Sequence, residues 1–297
     1  MILGKVLSAH AITEFSARTT LKRLIFILLA GFLSLGASAI PPLASMKQIG
    51  MFKNSKTCIV LGTGSISYDM YIKDAVQKYW KATEFEFIDQ PTFDKRRFDS
   101  KYSFLVLMKA VFDKDPGGVS YNYISLVLGD ASSNLTRMPE LCSIPLSYID
   151  DNLTDYEYVI PAIVKFMQKH VLNLEEDRFI ISLKGLKYYN STTGFKDKVL
   201  LFNKEMMATN ANSPEKIKTA YPYYVKLITA EEIQQELLSN PTNALFHFHV
   251  GPNKNTAAGK CFEMIFDLDG NLYYYNSRKI TNDNEDGFNL KDFKLLR

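Results

Sequence analysis

The sequence predicts an α/β protein of two similar domains, each a mixed sheet with flanking helices in the order β-α-β-α-β-β and a closing helix. Three observations carry this. Short apolar runs alternate with segments whose apolar residues recur every three or four positions, the pattern of sheets covered by helices. The same order of segments runs through residues 56–176 and again through 196–297. Apolar positions of the two halves also coincide at an offset of 140 residues: Ile59-Val60-Leu61 meets Val199-Leu200-Leu201, Phe87-Ile88 meets Leu227-Ile228, and Leu105 and Leu128 meet Leu245 and Leu268. Only 7 of the 75 positions from 56 to 130 are identical at that offset, so the duplication is read from the apolar pattern. The composition agrees, with 46% hydrophobic and 23% charged residues in 297, and with 20 Phe and 17 Tyr favouring strands.

In the first half, Thr57–Leu61 reads as a short strand ending at Gly62-Thr63-Gly64, and Ile72, Val76, Tyr79 and Trp80 place a helix over 68–81. Phe85 and Phe87 alternate in a strand over 84–88, and Pro91 opens a short helix to Phe98. Two long strands, 102–112 and 119–128, flank the turn at 113–118, and Leu141–Ile144 is extended. Ile160, Ile163, Val164, Met167 and Val171 share one face of a helix over 155–172, in which Pro161 marks a kink or the true first turn. Residues 177–195 connect the halves, with Phe179–Leu183 open to reading as a further strand. The second half repeats the order with strands at 199–202, 224–228, 244–250, 261–266 and 272–275. Its helices fall at 214–220, 230–238 and 290–295. Thr229 and Glu232 form a capping box for the middle helix. Asn289-Leu290-Lys291-Asp292-Phe293 echoes Asn152-Leu153-Thr154-Asp155-Tyr156 ahead of the two closing helices.

Lys22-Arg23, the uncharged run 24–35 and the small-residue exit Ala37-Ser38-Ala39 form a signal peptide over 1–39, with cleavage between Ala39 and Ile40. The run is short of the roughly 20 apolar residues a spanning helix needs, so no membrane span is expected after processing. Residues 40–55 lead into the first domain. The leader carries four basic residues and one acid, and its removal turns a net charge of +3 into zero. A neutral chain with mixed signs lacks the basic stripe of a nucleic-acid binder. Cys58, Cys142 and Cys261 lie in apolar stretches and read as buried free thiols, with a Cys58–Cys142 bridge as the alternative in an oxidising compartment.

Four features carry possible chemistry. Gly62-Thr63-Gly64-Ser65 sits between strand and helix, but Ser67 stands where a dinucleotide fingerprint needs glycine, and no P-loop lysine follows; it reads as a turn. Asp267-Leu268-Asp269-Gly270-Asn271 lacks the later carboxylates of a calcium loop and reads as a hairpin turn. No Gly-x-Ser-x-Gly occurs, and nothing brings Cys142 to His170. His247 and His249, two apart on a strand, share a face. A hairpin pairing 249 with 261 and 247 with 263 would add Cys261 and Glu263, a donor set suited to zinc. A slip of one residue would separate them. The first half has Leu107 and Lys109 at the matching positions under the offset of 140.

The order of elements resembles the small α/β domains of envelope proteins such as the N-terminal domain of the TolB family, in topology alone. The leader and the stretch Tyr102–Pro145 resemble uncharacterised exported proteins of the Bacteroidota, a likeness that implies export and no activity. The sequence therefore reads as an exported, periplasmic or secreted, non-catalytic envelope component that binds or assembles through its surfaces with an envelope protein partner. The alternative is a metal-binding protein or metal-dependent hydrolase using the second domain.

Overall fold

A computed structural model describes residues 43–112, 119–132, 134–149, 151–191, 193–239, 241–252 and 258–297. The first half contributes β1 (Lys56–Val60), β2 (Phe85–Ile88), β3 (Tyr102–Val111), β4 (Ser120–Leu128) and β5 (Glu140–Tyr148) to a sheet of order β2-β1-β3-β4-β5. The second contributes β6 (Val199–Asn203), β7 (Val225–Ile228), β8 (Ala244–Val250), β9 (Lys260–Phe266) and β10 (Leu272–Lys279) in the order β7-β6-β8-β9-β10. Both sheets are parallel across their first three strands and antiparallel beyond, so the two halves share one topology.

The registers refine the offset between them. Ile59 pairs with Leu105 and Leu201 with Phe246, all four facing the same core. Equivalent positions therefore lie 142 residues apart on β1 and β6 and 141 apart on β3 and β8. An offset of 140 puts Leu105 on Leu245, whose side chain faces the opposite way. The positions matching His247 and His249 are accordingly Val106 and Met108, not Leu107 and Lys109.

Local signals set the helix ends. Seven α-helices are described: α1 (Met46–Lys53), α2 (Ile66–Tyr79), α3 (Gln90–Arg96), α4 (Ile160–Lys184), α5 (Pro214–Lys218), α6 (Ala230–Leu238) and α7 (Leu290–Lys294). Ser65 caps α2 by accepting from the Tyr68 amide, and the Thr229/Glu232 capping box closes both ways on α6. The echoed asparagines are both caps, Asn152 on a 3-10 turn over 153–159 and Asn289 on α7. Pro161 lies in the first turn of α4, where its missing N–H is not needed. That helix runs on past residue 172 to 184, so Phe179–Leu183 is helical; the boundary at 177 falls on a kink, where Asp177 has φ −122° and ψ 27°. Residues 46–53, read as leader from the sequence, form α1, with a Ser45/Gln48 capping box and Ile49 and Phe52 in the core.

One face of each sheet packs into a shared core with α1, α2, α4 and α6, while Cys58, Val60, Phe93, Phe104 and Val106 form a smaller cluster outside the first sheet. Leu200, Phe202, Ile265, Tyr274, Phe288 and Phe293 form the matching cluster outside the second. The described residues form one compact unit. Phe262 of β9 packs edge-on against Tyr121 and Tyr123 of β4, and the Tyr121 hydroxyl accepts from the Lys260 amide at 2.6 Å. From α4, Lys165 and Lys169 donate to the Leu268 and Asp269 carbonyls at 2.7 and 2.9 Å. The β9–β10 turn rests on that helix through Gly270, at φ 74°, where a Cβ would stand 2.5 Å from Lys165 Cβ and 2.7 Å from the Ala162 carbonyl. Gly270→Ala is expected to cost on the order of 1–3 kcal/mol through forced backbone and contact strain. A thermal melt unchanged from the wild type would refute this seating of the turn.

Candidate functional site

Strand alternation sends Phe246, Phe248 and Val250 of β8 into the shared core and aims Leu245, His247 and His249 at the outer cluster. The hairpin pairs His249 with Glu263 and His247 with Ile265, two residues away from the register expected above. A slip of two preserves the face, so His247, His249, Cys261 and Glu263 do come together, all buried. Val250 closes on Phe262, leaving Cys261 beyond the end of β8, while Lys260 is held by Tyr121.

Glu263, fully buried, is the hub. His247 Nε2 lies 2.7 Å from its Oε2 and His249 Nδ1 3.1 Å from its Oε1, while the Cys261 thiol donates to Oε1 at 2.9 Å. The other edge of His249, Nε2, stands 3.3 Å from Asp286 Oδ1. Gly251 makes room for that carboxylate, because a Cβ there would collide with it. Arg278 of β10 lies 3.5 Å from Glu263 and 3.1 Å from Asp292, and it donates to the Gly287 carbonyl. Asp292 also accepts from Tyr274 and Asn276. The His247 ring stacks on Phe202 at 4.8 Å and meets Phe288 edge-on, and its Nδ1 is buried with no protein partner.

Burial disfavours charge on both imidazoles and pushes His247 below the ordinary histidine value. At His249 burial is outweighed by the carboxylates of Glu263 and Asp286, which hold the imidazolium well above that value. Burial would raise the Glu263 carboxyl, but the His249 cation and the two histidine hydrogen bonds hold it well below the carboxylate range. Burial and the Glu263 charge push the Cys261 thiol far up, so it is a protonated donor. Cys261 Sγ, His249 and Asp286 stand in the order nucleophile, base and orienting acid, with Sγ 3.8 Å from Nδ1. A fully buried, protonated thiol that does not reach the adjoining cleft cannot attack a substrate there.

His247, His249 and Asp286 form part of the wall of a cleft of about 1040 Å³. Its other walls are the C-terminal ends of β6 and β8, the start of α6, and the 148–158 segment that leads from β5 into α4. The chain passes from β6 to β7 on one side and returns through α6 to β8 on the other, so the cleft opens at the switch point of the second sheet. Asp151, Asp155, Glu205, Glu231 and Asp286 line it, together with Tyr148, Tyr156 and Tyr158, and among the described residues no lysine or arginine does. The sequence reading missed Asp286 in a loop, Arg278 on the edge strand β10 and Asp292 in the first turn of α7, since a lone acid or arginine at such places carries no motif.

The remaining candidates have structural roles. The Gly62 amide, at φ 77°, donates to the Asp69 carboxylate, which fills the place an anion would take. Asp267 accepts from the Asn271 backbone and side chain across the β9–β10 turn. All three cysteines are free and buried; Cys58 and Cys142 lie on opposite faces of the first sheet, which rules out the alternative bridge. Strict alternation would set Tyr274 against Tyr273 and Tyr275, but the register shifts between Leu272 and Tyr274, and Tyr273 joins Tyr274 at the outer cluster while Tyr275 packs on the shared core. Among the described residues, no helix is long and apolar enough to cross a membrane. Compared with protein-family models, with curated proteins and with solved structures, the chain matches none.

Proposed function

We propose that the chain is an exported binding component whose cleft takes a small organic ligand carrying positive charge. The observation that carries this reading is the cleft wall, with five carboxylates and, among the described residues, neither lysine nor arginine. The His249 imidazolium offsets the Asp286 carboxylate, and the carboxylates that remain in excess between low-dielectric walls focus the field and concentrate positive charge. Tyr148, Tyr156 and Tyr158 line it as well, and an ammonium group seated over a tyrosine ring gains about 0.5–2 kcal/mol. The volume sits at the upper end of the roughly 300–1,000 Å³ usual for small-molecule sites. The leader over 1–39 supports action outside the cytoplasm.

Titration calorimetry with spermidine, and with an uncharged polyether of equal length, tests the reading. Spermidine is expected to bind and the polyether not. Asp155→Asn, Glu205→Gln and Glu231→Gln together are expected to weaken binding at least tenfold, since all three lie on the cleft wall and none is buried. No spermidine binding, or binding that ignores the triple substitution, defeats the proposal.

A further inference from the structure

We propose that His247 Nε2, His249 Nδ1 and a carboxylate oxygen of Glu263 bind a divalent transition metal, zinc first, with Asp286 orienting His249 and one coordination position open to the cleft. This does not rest on the organic cation proposed above. The three donor atoms lie within 4.8 Å of one another, with contacts of 2.7 and 3.1 Å to Glu263. A tetrahedral ion with bonds of about 2.0–2.2 Å separates its ligands by roughly 3.3–3.6 Å, so small side-chain shifts close the set around it. Two imidazoles and one carboxylate form a donor set of catalytic zinc centres, which keep a fourth position for water or substrate. Imidazole nitrogen also selects zinc and its neighbours over magnesium and calcium, which take oxygen.

Three further observations fit. The outer edge of His249 faces Asp286 at 3.3 Å, the carboxylate–histidine–metal arrangement that fixes the ring and its tautomer. With both imidazoles neutral, as metal ligation requires, the cluster holds the carboxylates of Glu263, Asp286 and Asp292 against the single guanidinium of Arg278, and a divalent cation balances the difference. Both histidines reach the cleft wall, which gives the ion an entry path. Cys261 is assigned outside the ligand set: its Sγ donates to Glu263 Oε1 at 2.9 Å and fixes the carboxylate, and the residue is absent from the cleft wall.

The test uses the intact chain, stripped with chelator and titrated with Co²⁺ or Zn²⁺ in the absence of any organic cation. One ion per chain is expected by elemental analysis. The cobalt form should show ligand-field absorption without a thiolate-to-cobalt charge-transfer band. Cys261→Ser should keep the ion, and Asp286→Asn should weaken binding by roughly 10- to 100-fold. His249→Ala should abolish it, with circular dichroism reporting whether that chain folds; if it does not, the wild-type spectra and Cys261→Ser decide. A wild-type chain that takes up no ion, a cobalt spectrum with a thiolate band, or an Asp286→Asn chain of unchanged affinity would each overturn the assignment. Spermidine binding measured on the metal-free protein fails or succeeds separately.

Discussion

Arg278→Met is expected to lower folding stability by about 3–5 kcal/mol, the cost of removing one partner from a buried charged network. The substitution leaves Glu263 and Asp292 without their guanidinium and the Gly287 carbonyl without its donor, all in an apolar shell built from Phe202, Phe288 and Phe293. Methionine fills most of the arginine stem, so the loss reports charge and hydrogen bonds more than volume. The contrast is Glu236→Ala, which breaks the pair with Lys226 on the surface, where both side chains are more than a third exposed. That change should cost no more than about 1 kcal/mol. Urea unfolding of the metal-stripped chains measures both, and equal midpoints for the two variants would show that the cluster contributes nothing to stability.

The second large effect is a pH dependence set by His170. Its ring is buried in α4 between Phe166 and Tyr189, with Nδ1 2.7 Å from the Tyr189 hydroxyl, and burial lowers its pKa from 6.5 to about 4. Between those values the unfolded chain holds a proton that the folded chain does not, so protonation favours unfolding. Stability from this residue is complete above pH 6.5 and is lost as the pH falls toward 4, by on the order of 3 kcal/mol. His170→Gln removes the titrating group. Denaturation midpoints from pH 7 to 4 should therefore fall more steeply in the wild type than in the variant. Parallel curves would place the acid sensitivity elsewhere.

Much of the fold was legible because its signals are local. The Thr229/Glu232 capping box, the two echoed asparagines and the runs 244–250 and 261–266 act over a few residues, and the helix and strands they imply are present. The reading fell short where a distant partner decides. Residues 46–53 form a helix because Ile49 and Phe52 find α2 and α4. Residues 173–184 stay helical beyond the expected end, through the kink at Asp177, with Leu174 and Ile181 buried in the shared core. The offset of 140 missed by one or two residues because apolar patterns fix the face of a strand and not its partner, and only pairing fixes the register.

By itself the sequence determined the α/β class, the repeated order of elements, the common face of His247 and His249 and the common face of Cys261 and Glu263, while strand pairing in the structure joined the two pairs. Each follows from a period of two or of 3.6 residues, which backbone geometry imposes without help from the rest of the chain. Only the tertiary structure decided that Glu263 would sit between the two imidazoles. It also brought Asp286 to the far edge of His249 and Arg278 over the cluster, and it set the acid-lined cleft against them. Those contacts join residues on separate strands and loops, and what holds them is the cost of leaving any one of these buried charges without a partner.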